Sequence, residues 1–154
     1  MGLFLGDGQA APPTASPTPT PTASDEPTPE PTTGECDDAV LTERGEYNLP
    51  DCIRVTIEGN DIEVNAGSIE VLVIRGNANE VDAGDVGTAV IAGNVNDVDT
   101  LDAGSIELNG NYNDVGVHGS LGRISIVGDH NEVEVDGVIG AVTDNGEDNQ
   151  VGPT

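Results

Sequence analysis

From Gly59 onward a related six-residue unit returns every 17 or 18 positions: GNDIEV at Gly59, GNANEV at Gly76, GNVNDV at Gly93, GNYNDV at Gly110, GDHNEV at Gly128 and GEDNQV at Gly146. A short, fixed period means stacked units that each contact only their neighbours. It is too short for a βαβ unit, which needs roughly 30 residues. It suffices for one turn around a narrow core, stacked on the next turn at about 4.8 Å. The period therefore predicts an all-β protein: a single-stranded parallel β-solenoid (β-helix) of about six coils.

Aligning the coils on that glycine separates their faces. Two and four residues before it stand Ile57 and Val55, Ile74 and Leu72, Ile91 and Ala89, Leu108 and Ile106, Ile126 and Ile124. Alternation of this kind marks a strand with one buried side. Five residues after the glycine come Val64, Val81, Val98, Val115, Val133 and Val151, and seven after come Ala66, Ala83, Thr100, Val117 and Val135. Ile69, Val86, Ala103, Leu121 and Ile139 form a further apolar set. Each coil is thus expected to offer three short inward-facing segments separated by glycine-rich corners.

Composition agrees with a narrow aliphatic core. Phe4, Tyr47 and Tyr112 are the only aromatic residues, whereas Val, Ile, Leu and Ala abound and β-branched residues favour strands. Acidic residues number 29 against four arginines (Arg44, Arg54, Arg75, Arg123) and no lysine, for a net charge of −25. Such a chain repels phosphate backbones and anionic membrane surfaces, so nucleic acid and direct anionic-membrane binding are excluded as expectations. Metal cations and basic proteins are left as partners, or a salty medium as the setting.

Three divisions follow. Residues 1–35 contain APPTASPTPTPTASDEPTPEPTTG, in which proline denies the backbone its donor and restricts the residue before it; a disordered Pro/Thr-rich linker is expected there. Residues 36–58 are assigned to an N-terminal cap and first strand, and 59–154 to the solenoid repeats. The apolar start, Met1 to Leu5, is too short for a membrane span or signal core. It is read as the remnant of an export signal or anchor missing from this chain.

The side chains that carry chemistry are few in kind. The asparagine three residues after the glycine (Asn79, Asn96, Asn113, Asn131, Asn149) falls at an inward or corner position, where stacked amides bond along the axis. Cys52 aligns with Ile69, Val86, Ala103, Leu121 and Ile139, and Cys36 precedes it by nearly one coil. Stacked positions lie about 5 Å apart, within disulfide range. A Cys36–Cys52 bridge is therefore expected to close the cap, with Val40, Leu41, Tyr47 and Leu49 covering the first coil. His118 and His130 are read as solvated corner residues. Four residues after the glycine stand Glu63, Glu80, Asp97, Asp114 and Glu132; six after stand Asp82, Asp99 and Glu134. These alternate with the buried valines and form an outward acidic strip. The strip is read either as a solvated, aggregation-resistant face or as a cation-binding one, with Glu80, Asp82, Asp97, Asp99, Asp114, Glu132 and Glu134 the candidate ligands and Ca²⁺ the ion that an oxygen-rich array suits. No nucleophile–base pair, phosphate loop or zinc spacing occurs, so no catalytic residue and no resident cofactor is assigned.

The Pro/Thr tether, the cysteine-flanked cap and the repeated Val-x-Ile-x-Gly-Asn-x-Asn-x-Val together resemble a family of exported actinobacterial proteins, number 3060 among the domains of unknown function. The likeness spans roughly residues 36–151 and implies a secreted or surface-anchored β-solenoid. It carries no catalytic residues to transfer. The expected function is a non-enzymatic secreted or cell-envelope module presented on a tether, with a structural or binding role toward an unknown envelope or extracellular partner. The alternatives are an ice-binding protein, with Thr56, Val73, Val90, Glu107, Ser125 and Thr143 as the outward column, or a small polysaccharide-active β-helix enzyme.

Overall fold

The structure, a computed structural model, describes residues 36–153. The linker expected at 1–35 lies outside the described residues. Fourteen strands follow one another: β1 (Cys36–Leu41), β2 (Gly45–Leu49), β3 (Cys52–Ile57), β4 (Ile62–Ala66), β5 (Ile69–Ile74), β6 (Glu80–Ala83), β7 (Val86–Ile91), β8 (Asp97–Thr100), β9 (Ala103–Leu108), β10 (Asp114–Val117), β11 (Leu121–Ile126), β12 (Glu132–Val135), β13 (Ile139–Asp144) and β14 (Gln150–Gly152). The odd-numbered strands form one seven-stranded sheet and the even-numbered strands another, each in consecutive spatial order. Pairing is parallel throughout both sheets, and each strand bonds to its counterpart one coil away. The chain is a parallel β-solenoid of seven turns.

Two expectations change. The stretch 36–58 is itself a coil, because β1 pairs with β3 and β2 with β4; this adds the seventh turn. Each coil also has two strands rather than three inward segments. Ile69, Leu72 and Ile74 all belong to β5, which buries its first, fourth and sixth residues. The extra residue at position 70 (Gly87, Gly104, Gly122 and Gly140 in later coils) bends the strand so that both halves face the core. At that bend a Cβ on Gly87 would lie 2.6 Å from the Glu70 carbonyl oxygen.

Between the sheets the inward side chains stack in register. Val64, Val81, Val98, Val115 and Val133 form one column, each at most 2% exposed. Cys36 and Cys52 are disulfide-bonded, with Cα atoms 4.5 Å apart, and tie β1 to β3 at a register pair. Leu41 is buried, and Tyr47 and Leu49 pack partly buried against the core. Val40, expected to help cover the first coil, is 61% exposed. It lies between Ala39 and Leu41 on an alternating strand and so points away from them.

The repeat glycine and the inner asparagine act together. Asn96 Oδ1 accepts from Asn79 N at 3.0 Å and from Asn79 Nδ2 at 3.1 Å. Asn79 Nδ2 also donates to Gly59 O at 3.1 Å. The same three bonds recur at Asn96 and Asn113, two accepted by Oδ1 of Asn113 or Asn131 and the third by Gly76 O or Gly93 O. A Cβ on Gly76, Gly93, Gly110, Gly128 or Gly146 would collide with the carbonyl oxygen of the preceding repeat glycine. Glycine is required here for close approach of two backbones.

The left-handed backbone falls elsewhere, two residues further on. Asp61, Ala78, Val95, Tyr112, His130 and Asp148 have φ between 54 and 58°. These positions are held by corner bonds to the next coil, such as Ala78 N to Asn94 O at 3.1 Å and Val95 N to Asn111 O at 3.1 Å. A second amide ladder runs beside them with opposite polarity: Asn94 N donates back to Asn77 Oδ1, and Asn111 N to Asn94 Oδ1, both at 3.0 Å.

Two stability measurements test this account. Asn113→Ala removes the acceptor of two buried Asn96 donors and should cost about 2–4 kcal/mol, against about 1 kcal/mol or less for Asn111→Ala on the more exposed ladder. Urea unfolding midpoints at unchanged slope decide between them; equal losses would contradict the role given to burial. Val95→Asn should stabilise by about 1 kcal/mol, because a β-branched residue is strained in the left-handed region that Asn tolerates. Little contact is lost, since Val95 is 60% exposed. A lowered melting temperature would reject the strain.

Candidate functional site

The outer face of the even sheet carries the acidic strip. Glu80, Asp97, Asp114 and Glu132 are consecutive register partners, flanked by Glu46 and Glu63 on one side and Gln150 on the other. Beside them run Asn48, Asn65, Asp82, Asp99, Gly116, Glu134 and Gly152. All seven candidate cation ligands therefore lie on this one face. Alternation puts them there: the residue between each pair is the buried valine or its neighbour, so the carboxylates point to solvent. The strands of this sheet contain no arginine.

Stacking sets like charges one strand spacing apart, about 5 Å. Asp97, at the middle of the strip, shows the result. Its carboxyl is raised above the ordinary 3.8 by partial desolvation, and further by the negative charges of Asp99, Asp114, Glu80 and Asp82.

Gly116 interrupts the second column. Its missing side chain leaves a notch of about 220 Å³ lined by Asp97, Asp99, Asp114, His118, Glu134 and Asp136. A Cβ at Gly116 would run into Asp99 Oδ1. His118 stands at the rim with Nε2 3.7 Å from Asp99 Oδ1 and Nδ1 3.3 Å from Asp136 Oδ2. It is exposed, as a corner histidine should be, but the fold places it between carboxylates of the coils on either side. Sequence reading missed Asp136 because it lies outside the aligned columns. His130 is also exposed; its ring stacks on Tyr112 with centroids 4.8 Å apart, and Nε2 is 3.6 Å from Asp148 Oδ2.

Among the described residues, no three His, Cys, Asp or Glu side chains are disposed to hold a metal ion. The geometry explains this. Side chains on one face of a sheet project side by side, whereas chelation needs them to converge on a point. The strip is an extended field of charge. Its opposite, the outer odd sheet, carries Arg54 and Arg123, and Arg75 lies beyond the end of β5, paired with Glu58 at 2.9 Å. The column considered for ice binding is in register there, but Glu107 interrupts its Thr, Val and Ser.

The larger concavities, about 710 and 580 Å³, are open grooves at the corners. The first contains the disulfide and Asp51, whose Oδ1 accepts from Ser68 N at 2.8 Å. Backbone bonds there hold one coil to the next, Cys52 N to Ser68 O and Ile69 N to Asp85 O, both at 2.9 Å. No family model, curated protein or solved structure matches this chain.

The strip yields a pH prediction. Because the native carboxyl of Asp97 titrates above its ordinary value, the folded state holds that proton more tightly than the unfolded chain. Ionised Asp97 therefore lowers stability at neutral pH, and the loss develops as pH rises from 3.8 through the raised native value. Asp97→Asn should melt higher than the parent at pH 7, and the difference should vanish by about pH 3, where the aspartate is protonated in both states. A difference that persists or grows at low pH would show that charge is not its cause.

Proposed function

We propose that this chain is a non-enzymatic module of the extracellular space or cell envelope, presented on its Pro/Thr-rich segment, whose acidic even-sheet face attracts cations or a basic partner. The carrying observation is the parallel, outward array of carboxylates on one face, with no arginine on that sheet. Such a surface raises local cation concentration without a chelating geometry. A rod of seven coils, about 30 Å long at the usual strand spacing, keeps those charges at fixed intervals. The Cys36–Cys52 bond suits an oxidising compartment. The resemblance to exported solenoid proteins points the same way.

Two assays test the proposal. Incubation with a panel of cell-wall and plant polysaccharides should release no new reducing ends or unsaturated sugars; turnover lost on substitution of a strip carboxylate would replace the module with an enzyme. Melting in millimolar CaCl₂ should exceed melting in NaCl of equal ionic strength, because preferential binding to the native state adds to screening. Asp97→Asn/Asp99→Asn, which takes two charges from the middle of the strip, should reduce that calcium-specific increment. Equal shifts in the two salts would reduce the face to a solvated surface.

A further inference from the structure

The inward column that ends the odd strands reads Leu41, Ile57, Ile74, Ile91, Leu108 and Ile126, each in register with the next. In the last described coil the residue paired with Ile126 is Asp144. A carboxylate thus occupies a core position that six successive coils give to leucine or isoleucine.

Its hydrogen bonds show what it replaces. In the preceding coil, Asn131 Nδ2 donates to Oδ1 of the next asparagine, Asn149, at 3.0 Å. Asn149 Nδ2 instead donates to Asp144 Oδ1 at 2.9 Å, and the same oxygen accepts from Gly146 N at 2.9 Å. Asp144 therefore supplies, from within the coil, the acceptor that a further coil would have brought. The rest of this end is prepared for stacking. Among the described residues, β13 and β14 each have a neighbour on one side only. Val142 is exposed where its register partner Ile124 is buried, and Ile139 and Val151 are only partly covered.

We propose that Asp144 closes this end of the solenoid against a second copy of the chain, whose β1 and β2 would otherwise continue the two sheets in register. The arriving copy offers a matching surface: β1 and β2 are the opposite edges of the same two sheets and carry Ala39, Leu41, Tyr47 and Leu49 toward the core. Such head-to-tail addition does not close on itself, so it would grow as an open filament. Docking would lay Leu41 over Asp144 and set an apolar side chain against its carboxylate in place of water, which is strongly unfavourable. Overall charge repulsion also opposes association, but that effect is screened by salt, and dehydration of a buried carboxylate is not.

Sedimentation equilibrium in 1 M NaCl, where the Debye length is about 3 Å, separates the two effects. The parent protein should remain monomeric there. Asp144→Ile, which restores the apolar column and leaves Asn149 Nδ2 its bond to Gly128 O at 2.8 Å, should associate, its apparent mass rising about twofold or more with concentration as open-ended addition requires. Adding Val142→Lys to that variant should restore the monomer, showing that association uses this end. Because Asp144 is exposed, the variants should keep the circular dichroism of the parent. The proposal is overturned if the parent associates in 1 M NaCl, if the Asp144→Ile variant stays monomeric, or if Val142→Lys leaves its association unchanged.

Discussion

The absence of a Cβ on the repeat glycine lets the carbonyl of the preceding repeat glycine occupy the space beside it, and the inner asparagine bonds that carbonyl. The same amide then bonds the asparagine of the following coil. The coils of Asn79, Asn96, Asn113 and Asn131 are thereby gripped from both sides at one point on their circumference. The outer ladder, running from Asn94 back to Asn77 and from Asn111 back to Asn94, adds a second grip of opposite direction. Sheet hydrogen bonds fix the register along the strands, while these ladders fix it at the corner, where a strand ladder cannot reach. Among the described residues every buried side-chain nitrogen and oxygen finds a partner, so buried amides cost little here and specify the stacking.

One translation generates both the core and the surface. The repeat that stacks valine on valine inside stacks carboxylate on carboxylate outside. Inside, the stacking is favourable because apolar area is removed from water. Outside, it sets like charges side by side, and at Asp97 their repulsion adds to desolvation in raising the carboxyl. The acidic face is therefore a feature the fold tolerates.

The two ends differ in chemistry. At the first coil a covalent bond joins β1 to β3, and Leu41 rather than asparagine-backed polar groups completes the core. At the last coil a carboxylate turns the amide ladder back on itself. A solenoid whose coils are interchangeable in register needs some device to keep its edges from pairing with other edges. Here the device is a single residue at a position otherwise reserved for leucine and isoleucine.

The 17–18-residue spacing by itself determined the solenoid, the inward valine column, the asparagine ladder, the facing of the acidic strip and the Cys36–Cys52 pair. Each of these follows from period and parity, which are local properties of a chain. Tertiary structure decided the rest. Two strands per coil rather than three arise because one residue in each long strand bends it, and apolar spacing does not distinguish a bend from a break. The outer amide ladder was present in every Gly-Asn pair, yet its donors and acceptors meet only once coils are stacked. The left-handed conformation falls on Val95 and its equivalents rather than on glycine, because close approach of neighbouring backbones claims the glycine. Asp144 was visible two residues before Gly146, but its meaning depends on the bond to Asn149 and on the exposed edge beside it, and both exist only in the assembled coil.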